Sequence, residues 1–101
     1  MNLHAIQHTV VFRLRHARDS DEERDFLERA WALGELPGVQ RFQVLDQVGQ
    51  KNDYDFCLSM HFASQQAYDA YDAHPEHRRF VQEVWLPQVA QFLELDYVER
   101  R

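Results

Sequence analysis

The sequence predicts an α+β domain in which four antiparallel strands carry helices on one face. Three observations predict it. Hydrophobic residues alternate with period two in four separate stretches. Two intervening stretches instead repeat with helical spacing. Serine, proline and glycine punctuate the boundaries between them.

The first strand is expected over about Ala5 to Arg15. Ile6, His8, Val10, Phe12 and Leu14 share one face, while Gln7, Thr9, Val11, Arg13 and Arg15 share the other. Ser20-Asp21-Glu22-Glu23 then forms a capping-box signature. Behind it Phe26, Leu27, Ala30, Trp31 and Leu33 make one apolar helical stripe, with Gly34 as its stop. Pro37-Gly38 predicts a turn into a second strand, Val39 to Val48. A polar loop follows, and a third strand is expected over Tyr54 to Phe62. Its Phe56, Leu58, Met60 and Phe62 face one way, and Cys57, Ser59 and His61 the other.

Ser64 caps a short helix bearing Ala67, Tyr68 and Tyr71, which must end near His74 because Pro75 follows. Pro75 suits the first position of a new helix lined by Phe80, Val81, Val84 and Trp85. Pro87 bends or ends that helix, and Phe92 to Val98 reads as a fourth strand. The order βαββαβ is that of a ferredoxin-like sheet.

Size and charge narrow the function classes. At 101 residues the chain has room for one domain, 1–101. Such a chain hides only roughly 65% of its unfolded surface, so its core is thin. A net charge of −6 repels phosphate backbones and anionic lipid, which argues against nucleic acid and membrane partners. The lone Cys57 permits no internal disulfide and fits a cytoplasmic location. Met1 to Gln7 lacks the pattern of a signal peptide, and no apolar run approaches the ~20 residues of a membrane helix.

The sheet face away from the helices is too apolar for open water and too polar for a monomer core. It carries Val11, Leu45, Cys57, Ser59, Leu93 and Leu95. Pairing with a second copy resolves the conflict, so a homodimer is expected.

Four stretches now matter together: His8-Thr-Val-Val-Phe-Arg-Leu, Leu36-Pro-Gly-Val39, Tyr71-Asp-Ala-His-Pro-Glu-His77 and Leu95-Asp-Tyr97. In this order, over about 90 residues, with Tyr54-Asp55 between them, they resemble the stress-responsive A/B barrel (Dabb) family of dimeric α+β barrels. The resemblance implies that two sheets close into a barrel across a dimer interface. Its best-understood enzyme is a plant polyketide cyclase, olivetolic acid cyclase, which uses neither metal nor organic cofactor. By position, its working pair corresponds to Tyr71 and His77. This sequence departs from that enzyme at Phe56, Val89 and Glu94.

The residue types suit acid–base work. A histidine can exchange a proton near neutral pH, and a neutral phenol can donate to a developing enolate oxygen. Tyr71 and His77, the pair that the resemblance implies, are the candidate catalytic residues. His8, Phe12, Phe26, Phe56, Leu58, His74 and Phe80 are the candidate ligand-binding residues. The competing reading is that Tyr71 and His77 hydrogen-bond each other to fix the bend, with His74 a cap before Pro75. His74-x-x-His77 lacks a third ligand at suitable spacing, so no metal site is assigned, and no cofactor. Cys57 reads as a small hydrophobe, His61 as an interface residue, His4 and His16 as surface residues, and Trp31 and Trp85 as core or pocket wall.

The expected function is a small-molecule-binding stress-response protein with an apolar pocket beside Tyr71 and His77. The alternatives are a cofactor-independent cyclase or lyase acting on an apolar carbonyl compound, and a cofactor-free monooxygenase-like enzyme.

Overall fold

The computed structural model describes residues 5–101. His4 and the start of the Met1 to Gln7 segment lie outside them. The chain forms β1 (Ile6–Leu14), α1 (Asp21–Trp31), β2 (Gln40–Asp46), β3 (Phe56–Phe62), α2 (Gln65–Ala73), α3 (Pro75–Phe80) and β4 (Val89–Val98). The strands make one antiparallel sheet in the order β2-β3-β1-β4. This is the expected ferredoxin-like arrangement, with the helices on one face.

The caps form where the side chains predict them. Ser20 Oγ accepts the Glu23 amide at 3.2 Å, and Ser64 Oγ accepts the Ala67 amide at 3.1 Å. Glu23 departs from the simple capping box. Its Oε1 accepts from the amide of Asp19, which stands at φ 64°, and its Oε2 lies 3.2 Å from Arg18 Nε. Gly38, at φ 85°, makes the turn after Pro37. Gly34 has a different duty from the predicted stop. Helix α1 ends at Trp31 and tightens into a 3-10 turn, Ala32–Glu35, containing Gly34. A Cβ at Gly34 would sit 2.9 Å from the Phe42 ring, so the glycine admits β2 against this turn.

On β1 the five predicted helix-facing residues are all buried, as are Phe56, Leu58, Met60 and Phe62 on β3. They build two apolar clusters. The larger centres on Phe12, whose ring lies 5.7 Å from Phe26, 5.6 Å from Phe56 and 4.9 Å from Trp85. Each such aromatic pair adds about 0.5–1.5 kcal/mol beyond its buried area. The smaller joins Met60, Phe62 and Tyr71. Trp31 belongs to neither: it is 57% exposed and lays its edge on Phe42 at 5.4 Å. It falls on the helical stripe by spacing, but as the last residue of α1 it lies over Phe42 on the edge strand β2. There Arg41 stands at φ 53° and the pairing slips between Gln40 and Gln43.

Pro87 neither kinks nor simply ends the last helix. After Phe80 the helix widens into a π turn, Val81–Trp85, in which the Leu86 amide donates to the Val81 carbonyl, five residues back. A short turn, Leu86–Gln88, then runs directly into β4. Proline cannot donate to the carbonyl four residues before it, and the wider turn absorbs that loss. The strand therefore begins at Val89, three residues before the predicted Phe92. Its outer face carries Leu93, Leu95 and Tyr97, opposite Val11, Thr9 and Gln7.

Candidate functional site

Where the two clusters meet, the helices leave a cavity of about 380 Å³ against the sheet. Val10, Leu58 and Met60 floor it, and Leu33, Phe80, Trp85 and Phe92 wall it. Its polar lining includes His8, Tyr71, Asp72, His77, Arg78 and Glu94. The pocket is therefore not simply apolar as expected, but lined by apolar and polar side chains together.

Tyr71 occupies the last turn of α2, and His77 the first turn of α3. The His74–Pro75 junction reverses the chain so that their rings come within 4.4 Å, tilted by 45°. They do not hydrogen-bond each other. His77 Nδ1 lies 3.0 Å from the Asp72 carbonyl oxygen. A carbonyl can only accept, so Nδ1 carries the proton and, in the neutral ring, Nε2 keeps its lone pair. Tyr71 is 2% exposed, yet its hydroxyl has no hydrogen-bond partner among the described residues. Burial, and then the negative charges of Asp72 and Glu94, push its ionisation well above the ordinary phenol range. It is held as a neutral donor.

His8 also reaches this cavity, but in company that the sequence reading did not assign. Its Nδ1 lies 2.5 Å from Asp96 Oδ1 and 3.1 Å from the Tyr68 hydroxyl, which donates to Asp96 Oδ2 at 3.0 Å. The signal was available, because alternation puts Phe92, Glu94 and Asp96 on one face and β4 pairs His8 with Asp96. Tyr68 stands one turn before Tyr71 on α2.

The remaining predicted residues separate. Leu58 and Phe80 line the cavity. Phe12, Phe26 and Phe56 do not: they are sealed in the larger cluster, no more than 2% exposed. Helical and strand periodicity identifies their face correctly but not how far along it the cavity lies. His74 is turned away to cap α3, its Nδ1 accepting the Glu76 amide at 3.1 Å. His74 and His77 thus do not converge, and no cluster of three or more His, Cys, Asp or Glu suited to a metal ion occurs among the described residues. His16, expected at the surface, is half-buried with Nε2 2.8 Å from Gln88 Oε1. Burial pushes the Cys57 thiol up, away from the thiolate a nucleophile needs.

Comparison with known proteins now decides the family. The model of the stress-responsive A/B barrel domain (Dabb) matches residues 6–99. The chain belongs to this family. A Dabb protein of Mesorhizobium loti with a ferredoxin-like fold is 47% identical, with a TM-score of 0.93 over 96% of this chain and 98% of that one. A dimeric ferredoxin-like protein of unknown function from Thermobifida fusca is 20% identical, with a TM-score of 0.77 over 94% and 91%. The hydroxynitrile lyase of Passiflora edulis is 13% identical, with a TM-score of 0.85 over 98% and 96%. At these last two identities the likeness is one of fold. No curated protein matches the A/B barrel chain. Among the described residues, no helix is long and apolar enough to cross a membrane.

Proposed function

We propose that this A/B barrel protein binds a small, largely apolar molecule whose carbonyl oxygen is received by Tyr71. The observation that carries this reading is the Tyr71 hydroxyl, unpartnered on a residue 2% exposed, at the edge of a 380 Å³ cavity. That volume lies within the ordinary range of small-ligand sites. The hydroxyl is not among the fully enclosed unpaired atoms, so it meets accessible space, and the cavity it borders is where a ligand oxygen can accept from it. Acetophenone is a suitable probe. It should bind the wild type in calorimetry and bind Tyr71→Phe roughly five- to tenfold more weakly, the worth of one hydrogen bond. Equal affinity for the two proteins would defeat the assignment.

A second reading, acid–base catalysis, is favoured by the His77 tautomer. Its Nε2 lone pair can take a proton α to a carbonyl polarised by Tyr71, with no cofactor needed for such a transfer. Acetophenone in D2O should then exchange its methyl protons faster with wild type than with His77→Ala. Identical exchange rates rule this chemistry out for that probe.

The assembly and location follow from surface chemistry. A second copy covering Leu45, Leu93, Leu95 and Tyr97, all at least 38% exposed, would remove the outer sheet face from water. The relative described as dimeric supports this pairing. Light scattering should give twice the chain mass at micromolar concentration, and a monomer there refutes it. A cytoplasmic location agrees with the single thiol, Cys57.

A further inference from the structure

His8, Asp96 and Tyr68 form a connected polar group on the same cavity, and its proton count can be worked out from acceptor chemistry. Asp96, as a carboxylate, only accepts. Tyr68 must therefore donate its proton to Asp96 Oδ2, 3.0 Å away, which leaves the phenol oxygen able only to accept. Both near neighbours of His8 Nδ1 are then acceptors: Asp96 Oδ1 at 2.5 Å and the Tyr68 oxygen at 3.1 Å. The proton of the neutral ring belongs on Nδ1. The Tyr68 and His8 rings also pack, with centroids 4.9 Å apart, so the imidazole cannot turn over freely.

This commitment leaves Nε2 with a lone pair and no partner among the described residues. His8 is only 5% exposed. Yet the one fully enclosed side-chain N or O without a hydrogen bond among the described residues is Glu23 Oε2. Since His8 lines the cavity, that opening is where Nε2 meets accessible space.

We propose that Tyr68 and Asp96 are positioning residues that lock His8 so that its Nε2 accepts an O–H or N–H of the cavity's ligand. The inference rests on the reading that the cavity takes a ligand, and it narrows the class. Tyr71 supplies one donor, while His8 and His77 each present an acceptor. The ligand that satisfies all three carries a carbonyl oxygen together with a hydroxyl or N–H, on an apolar body.

Long-range proton–nitrogen NMR of the ¹⁵N-labelled, ligand-free protein tests the lock, with His8 assigned through His8→Gln. At mildly alkaline pH the His8 ring should carry its proton on Nδ1 alone, and Tyr68→Phe should shift it toward a mixture of tautomers. A proton on Nε2, or on both nitrogens as in a plain ion pair with Asp96, overturns the proposal. Phenol and anisole, differing only in the donor hydroxyl, test the acceptor. Phenol should move the His8 Nε2 signal where anisole does not, and Tyr68→Phe should weaken phenol roughly three- to tenfold. Acetophenone binding with no phenol effect at His8 defeats this inference alone. If neither acetophenone nor phenol binds, both readings fall.

Discussion

The rings of Tyr71 and His77 lie 4.4 Å apart, although a helix end, a proline and a helix start separate them in the chain. Tyr71 also packs on Phe62 at 5.1 Å. Its ring thus serves packing and its hydroxyl does not. Tyr71→Phe keeps the packing and removes a hydroxyl with no protein partner. It should therefore fold with stability within about 0.5 kcal/mol of wild type. Urea denaturation checks this, and a loss above about 2 kcal/mol would mean that the hydroxyl has a structural partner.

His74 gives the opposite pattern. Its ring caps the amide of Glu76 and takes no part in the cavity. His74→Ala should cost about 1 kcal/mol, the usual worth of an N-cap, and leave acetophenone affinity unchanged. Denaturation and calorimetry on one preparation separate the two effects.

Two phenols respond to pH in the same sense. Burial raises the ionisation of both Tyr68 and Tyr71, with Asp96 hydrogen-bonding the first and Asp72 and Glu94 adding negative charge. A raised folded value means that the fold binds the proton more tightly than the unfolded chain does. This stability is complete below the ordinary phenol value of ~10 and is lost as pH rises beyond it. The urea midpoint should fall between pH 9 and 11, and fall less in the double variant Tyr68→Phe/Tyr71→Phe. An equal fall in both proteins contradicts the assignment.

Phe26 is fully buried against Phe12, Phe80 and Trp85. Phe26→Ala should cost about 3–5 kcal/mol, a large part of the ~5–15 kcal/mol that holds a domain of this kind together. Thermal unfolding followed by circular dichroism measures it. A change under 1 kcal/mol would show that the larger cluster is not the core.

Much of this was readable in advance, and the division follows the range of the interactions. Ser20, Ser64, His74 and Gly38 act on neighbours within a few residues, so their residue types announce them. The alternation of β1 and β3 was equally plain because one face is buried along its whole length. Three features depended instead on what lay across the fold. Gly34 is small for the sake of Phe42, and Trp31 is exposed because it ends α1 over the edge strand β2. The partnership of His8 with Asp96 spans 88 positions and exists only once β1 and β4 lie side by side. The candidate pair Tyr71 and His77 came from the family resemblance, whereas the mixed polarity of the cavity arises only where β1, β4 and the helices converge.

The π turn of Val81–Trp85 passes through Leu86–Gln88 into β4 without an intervening loop. Much of the cavity wall, from Phe80 to Glu94, is thus one uninterrupted ribbon. Loops let proteins of one fold vary their sites by gaining and losing residues, and this wall lacks that freedom. One residue added after Gln88 would turn β4 over, sending Glu94 and Asp96 to the outer face and Leu93 and Leu95 inward. In this chain a changed ligand is therefore reached more readily by exchanging side chains at constant length than by adding residues.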